Sequence, residues 1–385
     1  MDKIKVAYLD YSHIFAGAER VLCAIINSID REYIEPIIIF PYPEEHHKDY
    51  YYKNCKTKYL FKKKQFWMGS DYWKHPLRGM DFFKRTIFGI ILKSVLIKEK
   101  VDVLHVNLLR VDSLMWLLPT SKTKIKIVGH FRSDEWEWMT PKKVQECCDI
   151  VLCVSDYCRD RLRSKGCFTE TRTLYDSFDL NNFKTVKSKL QIRKELQLPE
   201  DTFLITSIGQ LSPHKGHDNA IRAFANMVAI HPNSLLYIVG GGGNDELNRL
   251  KSIQSEYPML KDKVRYTERQ VDNIVEIYKT SDLVLSLTRY GEAFGLVPYE
   301  ASIMDVPFIG PDGGAIKEFI EDKVTGLLVD TLNVDAISEK MRWVLDHDTE
   351  IKLMVEKAHK LVMERLQPSV MAENIKNVYE YILKK

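Results

Sequence analysis

The sequence predicts an α/β protein of two doubly wound, Rossmann-like domains facing each other across a cleft. Three observations predict it. Apolar segments of strand length alternate with amphipathic helical segments in both halves of the chain, as in parallel sheets covered by helices on both faces. Apolar segments run into glycine-containing loops and then helix starts, the arrangement that places ligand loops at the carboxyl ends of parallel strands. At 385 residues the chain exceeds what one hydrophobic core usually serves, and 45% apolar with 28% charged residues is an ordinary globular composition.

In the first half, strands are expected near 4–9, 34–40, 101–106, 125–130 and 150–154. The opening MDKIKVAYLD enters a β pattern directly, so no signal peptide is expected there. The apolar helical stretch FGIILKSVLI (88–97) is interrupted by Lys93 and is too short to span a bilayer. This half reads as one domain, residues 1–180. The polar segment 178–200 contains a short amphipathic helix and reads as a linker. In the second domain, 200–367, strands are expected near 203–208, 235–239, 282–287, 306–309 and 327–329. A helical apolar pattern then follows Pro368 to residue 385.

Seven cysteines, an odd number, all lie in the N-terminal half, and their spacings match no zinc pattern. Cys153 falls in an apolar strand, so reduced thiols of a cytoplasmic protein are expected. Asp346-His347-Asp348, the one Asp-x-Asp, lies at a helix end and reads as solvated. No metal is expected.

The segment GEAFGLVPYE, 291–300, sets Glu292 and Glu300 eight residues apart, after the apolar strand SDLVLSL, with Pro298 suited to open a helix. Glu292 then lies on a loop and Glu300 one turn into the helix, whose free N–H groups favour phosphate. A carboxylate accepts two hydrogen bonds from a vicinal diol. One glutamate suits a ribose and the other the hydroxyls of a sugar, which together describe a sugar nucleotide. Two glutamates at this spacing also arise by chance in so charged a chain.

Other strand-end loops carry candidates. SIGQLSPHKG places Gly209, Gln210 and Lys215 after a strand, where Lys215 suits phosphate or is simply solvated. Gly313 and Gly314 open a loop whose amides can approach phosphate, or form an ordinary turn. The run Gly240 to Gly243 departs from G-x-G-x-x-G and is a weak signal for a dinucleotide. His130 ends the strand IKIVGH, Gly17 precedes a helix, and Arg289 stands three residues before Glu292.

GEAFGLVPYEA resembles the E-x7-E signature of the retaining glycosyltransferases of family 4, the group 1 family, which have the GT-B fold. AGAERVL (16–22), KVDVLHVN (100–107), IVGHFRSD (127–134), SIGQLSPHKG (207–216) and GGAIKEFIEDKVTGLLV (313–329) are similar to the family's other segments, in order. The resemblance implies a metal-independent transfer of sugar, with retained anomeric configuration, from a nucleotide-sugar donor, UDP first on family frequency. It implies catalytic roles for His130, Lys215 and Glu292. Donor binding is implied for Gly17, Gly209, Gln210, Lys215, Phe294, Gly295, Leu296 and Glu300, with Glu300 on the ribose and Glu292 on the donor sugar. It also implies that the last helix crosses back to the first domain. Ala16, Gln210 and Asp176 depart from the family's Gly, Arg and Asn. Gln210 and Asp176 keep open a non-catalytic protein that binds a sugar nucleotide or glycan. Another GT-B enzyme, such as a nucleotide-sugar epimerase, is a third reading.

From 48 to 100, fourteen basic residues face four acids, a net +10 within a chain of net +3, with aromatics from Tyr50 to Phe83 interleaved. Such a segment suits an anionic membrane surface. It equally suits single-stranded nucleic acid, or a solvated face over an aromatic core. The reading adopted is a glycan or lipid-linked acceptor met at the inner face of the plasma membrane by a peripheral cytoplasmic enzyme of cell-surface polysaccharide synthesis, without nucleic acid.

Overall fold

The computed structural model describes residues 3–12, 15, 17–49, 55–63, 79–109, 111–132, 141–267, 271, 273–289 and 291–385. They form two compact units, one of residues 1–178 and 366–385, the other of 179–365.

The first unit carries a parallel sheet of strands β1 (Ile4–Leu9), β2 (Ile34–Phe40), β3 (Lys56–Tyr59), β4 (Val103–Val106), β5 (Lys126–Phe131), β6 (Ile150–Cys153) and β7 (Thr171–Thr173). Their spatial order is β3-β2-β1-β4-β5-β6-β7. Strand order therefore reverses between β1 and β4, where open α/β sheets bind ligands. The core joins Val6, Tyr8, Ile38, Val128 and Leu152 of the sheet to Leu22 and Ile25 of the helix Gly17–Ser28 and to Met371, Ile375 and Tyr379 of the helix Pro368–Lys384. Pro368 opens that last helix, where its missing N–H costs nothing.

The second unit has β8 (Phe203–Ile208), β9 (Ser234–Val239), β10 (Val264–Tyr266), β11 (Leu283–Leu285), β12 (Phe308–Pro311) and β13 (Leu327–Val329), ordered β10-β9-β8-β11-β12-β13. The reversal falls between β8 and β11. Side chains alternate along β9. Leu236 and Ile238 pack with Ile221, Phe224, Leu250 and Met341 on one face, while Leu235, Tyr237 and Val239 pack with Ile277, Tyr278 and Ala301 on the other.

Residues 179–200 belong to this second unit. The helix Lys189–Glu195 opens on a capping box of Ser188 and Gln191, and its Arg193, 3% exposed, donates to the carbonyls of Glu200 and Thr202 and to Asp282 at 2.7 Å. A polar composition hides this anchorage. The glycine run does structural work. A Cβ on Gly240, whose φ is +159°, would lie 1.8 Å from the Gly209 carbonyl oxygen, so glycine lets the loops after β8 and β9 pack together. Leu211 N–H then donates to the Gly241 carbonyl at 2.9 Å. Among the described residues no helix is long and apolar enough to cross a membrane.

Candidate active site

Three loops meet at the reversal point of the second sheet. The loop after β8 ends in a short 3₁₀ turn, Pro213–Lys215, and Lys215 Nζ lies 3.2 Å from one Glu292 carboxylate oxygen and 3.4 Å from the other. Both side chains are about a fifth exposed, at 23% and 22%. Gly209 packs along the Lys215 stem, since an added Cβ there would sit 3.3 Å from its Cγ. The third loop reaches Glu292 through its backbone: Ala315 N–H donates to the Glu292 carbonyl at 3.1 Å. Gly314, at φ +65°, approaches so closely that a Cβ would lie 2.7 Å from Glu292 N.

His217 fixes the first of these loops. Its Nε2 lies 3.3 Å from the carbonyl oxygens of both Gly209 and Gln210, so it donates there, and its Nδ1 accepts from Ser207 Oγ at 2.8 Å. Burial pushes its pKa below the usual histidine value, against the raising effect of those carbonyls. A neutral ring in one tautomer pins the loop.

The helix Leu296–Ile303 begins after Gly295, which has no side chain to cap its first amides. Pro298 is its third residue rather than its first, because Leu296 and Val297 already have helical geometry. Glu300 is 7% exposed, and one carboxylate oxygen accepts from the Tyr278 hydroxyl at 2.7 Å. Phe294 is 4% exposed and packs on Tyr299 and Phe319, so its side chain belongs to the core and only its backbone faces the loop. Gln210 is exposed. Arg289 is engaged elsewhere, donating to Asp218 at 2.5 Å. Burial raises the Asp218 carboxyl but Arg289 and Arg249 outweigh it and hold the pKa below the ordinary value. Arg289, three residues before Glu292, is thus held by Asp218 in this structure.

In the first unit, Gly17 opens its helix and His130 lies on β5. Asn107, just after β4, lies between them: its side-chain amide nitrogen donates to the Ala18 carbonyl at 3.5 Å, while its backbone carbonyl accepts from Arg132 Nε at 3.1 Å. His130 is fully buried. Its Nδ1 lies 3.0 Å from Arg132 Nη2 and 3.2 Å from His105 Nε2. His105 Nδ1 is in turn 2.7 Å from the Tyr379 hydroxyl of the last helix, which lies 3.2 Å from that of Tyr8. Burial, then the Arg132 charge, then His105 push the His130 pKa well down. Arg132 also forms an ion pair with Asp176, whose pKa burial raises against the pull of that guanidinium. The structure thus gives the Asp176 departure a partner.

The loops of the second unit bring together Gly209, Lys215, Glu292, Gly295 and Gly314, and Glu300 follows on the helix Leu296–Ile303, accepting from Tyr278. The sequence reading missed Tyr278, His217, His105, Tyr379 and Arg132. HKGHD and HFRSD contain two of them, His217 and Arg132, beside residues already singled out, so adjacency was the available signal for those two.

Ala16, residues 50–54, 64–78, 133 and 134, and the side chains of 48–49 and 79–84 lie outside the described residues, and with them most of the basic aromatic segment. In its described part, Lys56 and Lys58 both pair with Glu99, at 2.5 and 2.8 Å, and Arg85 is buried. Three of its fourteen basic residues are thus spent within the fold.

Among the described residues, ligating atoms of Glu44, His46 and His47 lie within 4.8 Å of one another. His46 pairs with Glu44 at 3.2 Å, and His47 stacks on Phe40 while its Nδ1 accepts from Glu44 N–H, so contacts within the protein account for the cluster. His347 of the Asp-x-Asp stacks on Trp343. Cys55 is half-buried and the other six cysteines are buried.

The model of the glycosyl transferases group 1 family matches residues 188–361, and that of Glycosyltransferase Family 4 matches residues 15–181. A D-inositol 3-phosphate glycosyltransferase of Corynebacterium jeikeium is 29% identical over 167 residues, which are 42% of this chain and 40% of the relative's own length. A GDP-mannose-dependent monoacylated alpha-(1-6)-phosphatidylinositol monomannoside mannosyltransferase of Corynebacterium glutamicum is 26% identical over 272 residues, 66% of this chain and 70% of that one. Among solved structures, a glycosyltransferase from Rickettsia africae has a TM-score of 0.81 at 17% identity and covers 100% of both chains. Anabaena HepE in complex with UDP and glucose has a TM-score of 0.80 at 18% identity, covering 98% of this chain and 100% of its own. At such identities the likeness is one of fold.

Proposed function

Because the chain belongs to the group 1 glycosyltransferases of family 4, with their α/β GT-B fold, we propose that it moves a sugar from a nucleotide-sugar, UDP-sugar first, to a glycan or lipid-linked acceptor. The observation that carries this is the Lys215–Glu292 pair set among glycine loops at the reversal point of the second sheet. A partly exposed ion pair is worth about 1 kcal/mol or less, so a diphosphate with two charges readily takes Lys215 from Glu292. Glu292 is then released to accept from sugar hydroxyls.

Glu300, oriented by Tyr278, accepts from the ribose diol, and the amides of Gly295 and Leu296 add the favourable field of a helix start. Transfer proceeds at the front face with retention. A leaving phosphate oxygen takes the proton of the incoming hydroxyl, and Lys215 stabilises the diphosphate as its bond to the anomeric carbon breaks. Lysine and backbone amides supply this stabilisation without a metal. The UDP bound by HepE supports a uridine donor, and the GDP-mannose dependence of the mannosyltransferase relative makes GDP the competitor. That relative's phosphatidylinositol mannoside acceptor supports a lipid-linked glycan, as does the basic segment, in cell-surface polysaccharide or glycoconjugate synthesis at the membrane.

Calorimetric titration with UDP, GDP and ADP tests the site. One nucleotide should bind best, and Lys215→Ala should weaken it roughly ten-fold or more, the value of one charge-assisted contact. Equal affinity in the variant would count against the assignment.

A further inference from the structure

The environment of His130 settles which of its nitrogens carries the proton. Arg132 Nη2 lies 3.0 Å from His130 Nδ1, and a guanidinium has donors only, so Nδ1 must offer a lone pair. His105 Nε2, 3.2 Å from the same nitrogen, then also donates to it. That leaves His105 Nδ1 as the acceptor for the Tyr379 hydroxyl at 2.7 Å, and the longer contact of Tyr379 with Tyr8, 3.2 Å, goes without that proton.

The opposite register runs Tyr379 to Tyr8, His105 Nδ1–H to Tyr379 and His130 Nδ1–H to His105. It keeps both tyrosine contacts but sets a ring N–H against the cationic N–H of Arg132. A charge-assisted bond outweighs a long contact between neutral hydroxyls, so the arginine wins. The proton therefore sits on His130 Nε2. That atom is buried and has no hydrogen-bond partner among the described residues, which leaves it a donor in search of an oxygen.

We propose that Arg132, anchored by Asp176, is a positioning residue that fixes His130 as the neutral Nε2–H tautomer, presenting a hydrogen-bond donor to a ligand oxygen. A ring held in this way takes no proton through Nε2. His130 then stabilises negative charge or orients a hydroxyl rather than acting as a general base. In that role the inference rests on the transferase reading above, but the tautomer itself does not. It also gives a use to the aspartate at 176, since Asp176 neutralises the cation that sets the ring.

The test is a two-bond proton–nitrogen correlation spectrum of the full chain carrying ¹⁵N-histidine, with His130 identified among the 11 histidines by its loss in His130→Asn. The Nε2–H pattern is expected in the unmodified protein and in Tyr379→Phe. In the double variant Arg132→Met, Asp176→Asn, which removes both charges, the ring should change to Nδ1–H and donate to His105. An Nδ1–H or imidazolium pattern in the unmodified protein would overturn the proposal, as would a change in Tyr379→Phe or no change in the double variant. Should the double variant not fold, the first two spectra still decide. A protein that shows the Nε2–H pattern yet releases no nucleoside diphosphate from any donor would sink the transferase reading and leave this inference standing.

Discussion

Lys215 and Glu292 neutralise each other across two loops, and Glu300 is held by a tyrosine from another helix. Replacing Tyr278 by Phe removes one hydrogen bond of about 1 kcal/mol from Glu300, so the donor KM should rise about five-fold while turnover changes little. Steady-state kinetics at varied donor concentration checks this, and an unchanged KM would sever Glu300 from donor binding. The buried histidines make a separate prediction. Burial, aided by the Arg132 charge, pushes His105 down to about 3, so it stays neutral in the fold while the unfolded chain takes up a proton near the ordinary value of 6.5. Its contribution to stability is complete above that value and is lost as pH falls from 6.5 towards 3. Between pH 7 and 5.5 the loss is about 1 kcal/mol for each such histidine. Urea unfolding followed by tryptophan fluorescence should show it, since five of the six tryptophans precede residue 178, and His105→Gln should flatten the dependence. At this scale the sequence revealed residues within contiguous motifs, Lys215, Glu292 and Glu300. It could not reveal Tyr379 beside His105, because 274 residues separate them.

The central strands were legible because both faces are covered, which makes β1, β2, β5, β8 and β9 near-continuous apolar runs. The three strands absent from the reading, β3, β7 and β10, are all edge strands. Their sequences are KTKY, TRT and VRY. An edge strand has one neighbour and keeps charged side chains at its rim, so no apolar run announces it. Loop geometry was legible only as composition. Gly314 could be read as a turn, but its approach to the Glu292 backbone follows from the way the loops after β11 and β12 meet. Gly314→Ala combines a left-handed φ with a contact of 2.7 Å and should displace Glu292, lowering donor affinity about ten-fold. The loop is not core, so the thermal midpoint should move by only a few degrees. Nucleotide titration beside a melting curve checks both, and unaltered affinity would show that the third loop does not support the site.

At the scale of the molecule, the chain returns to its first unit after completing the second, and the last helix places Met371, Ile375, Val378, Tyr379 and Ile382 in the first core. Burying five such side chains is worth on the order of 10 kcal/mol, comparable with the whole stability of a domain. Truncation after Leu366 should therefore unfold the first unit and leave residues 179–365 folded, as hydrogen exchange resolved by segment would show. Protection retained throughout residues 3–178 would contradict that dependence. The apolar pattern after Pro368 made this helix legible, whereas its partner came from the family resemblance, since periodicity says which face is buried and not against what. The central claim, that the loops around Lys215 and Glu292 serve sugar transfer, is tested most directly by nucleoside diphosphate release from a panel of UDP-, GDP- and ADP-sugars, with a glycan or lipid-linked acceptor and with water alone. The expected result is turnover with one nucleotide class, reduced 10²-fold or more in Lys215→Ala. Full turnover in that variant, or binding of a nucleotide-sugar without release from any donor, would contradict it.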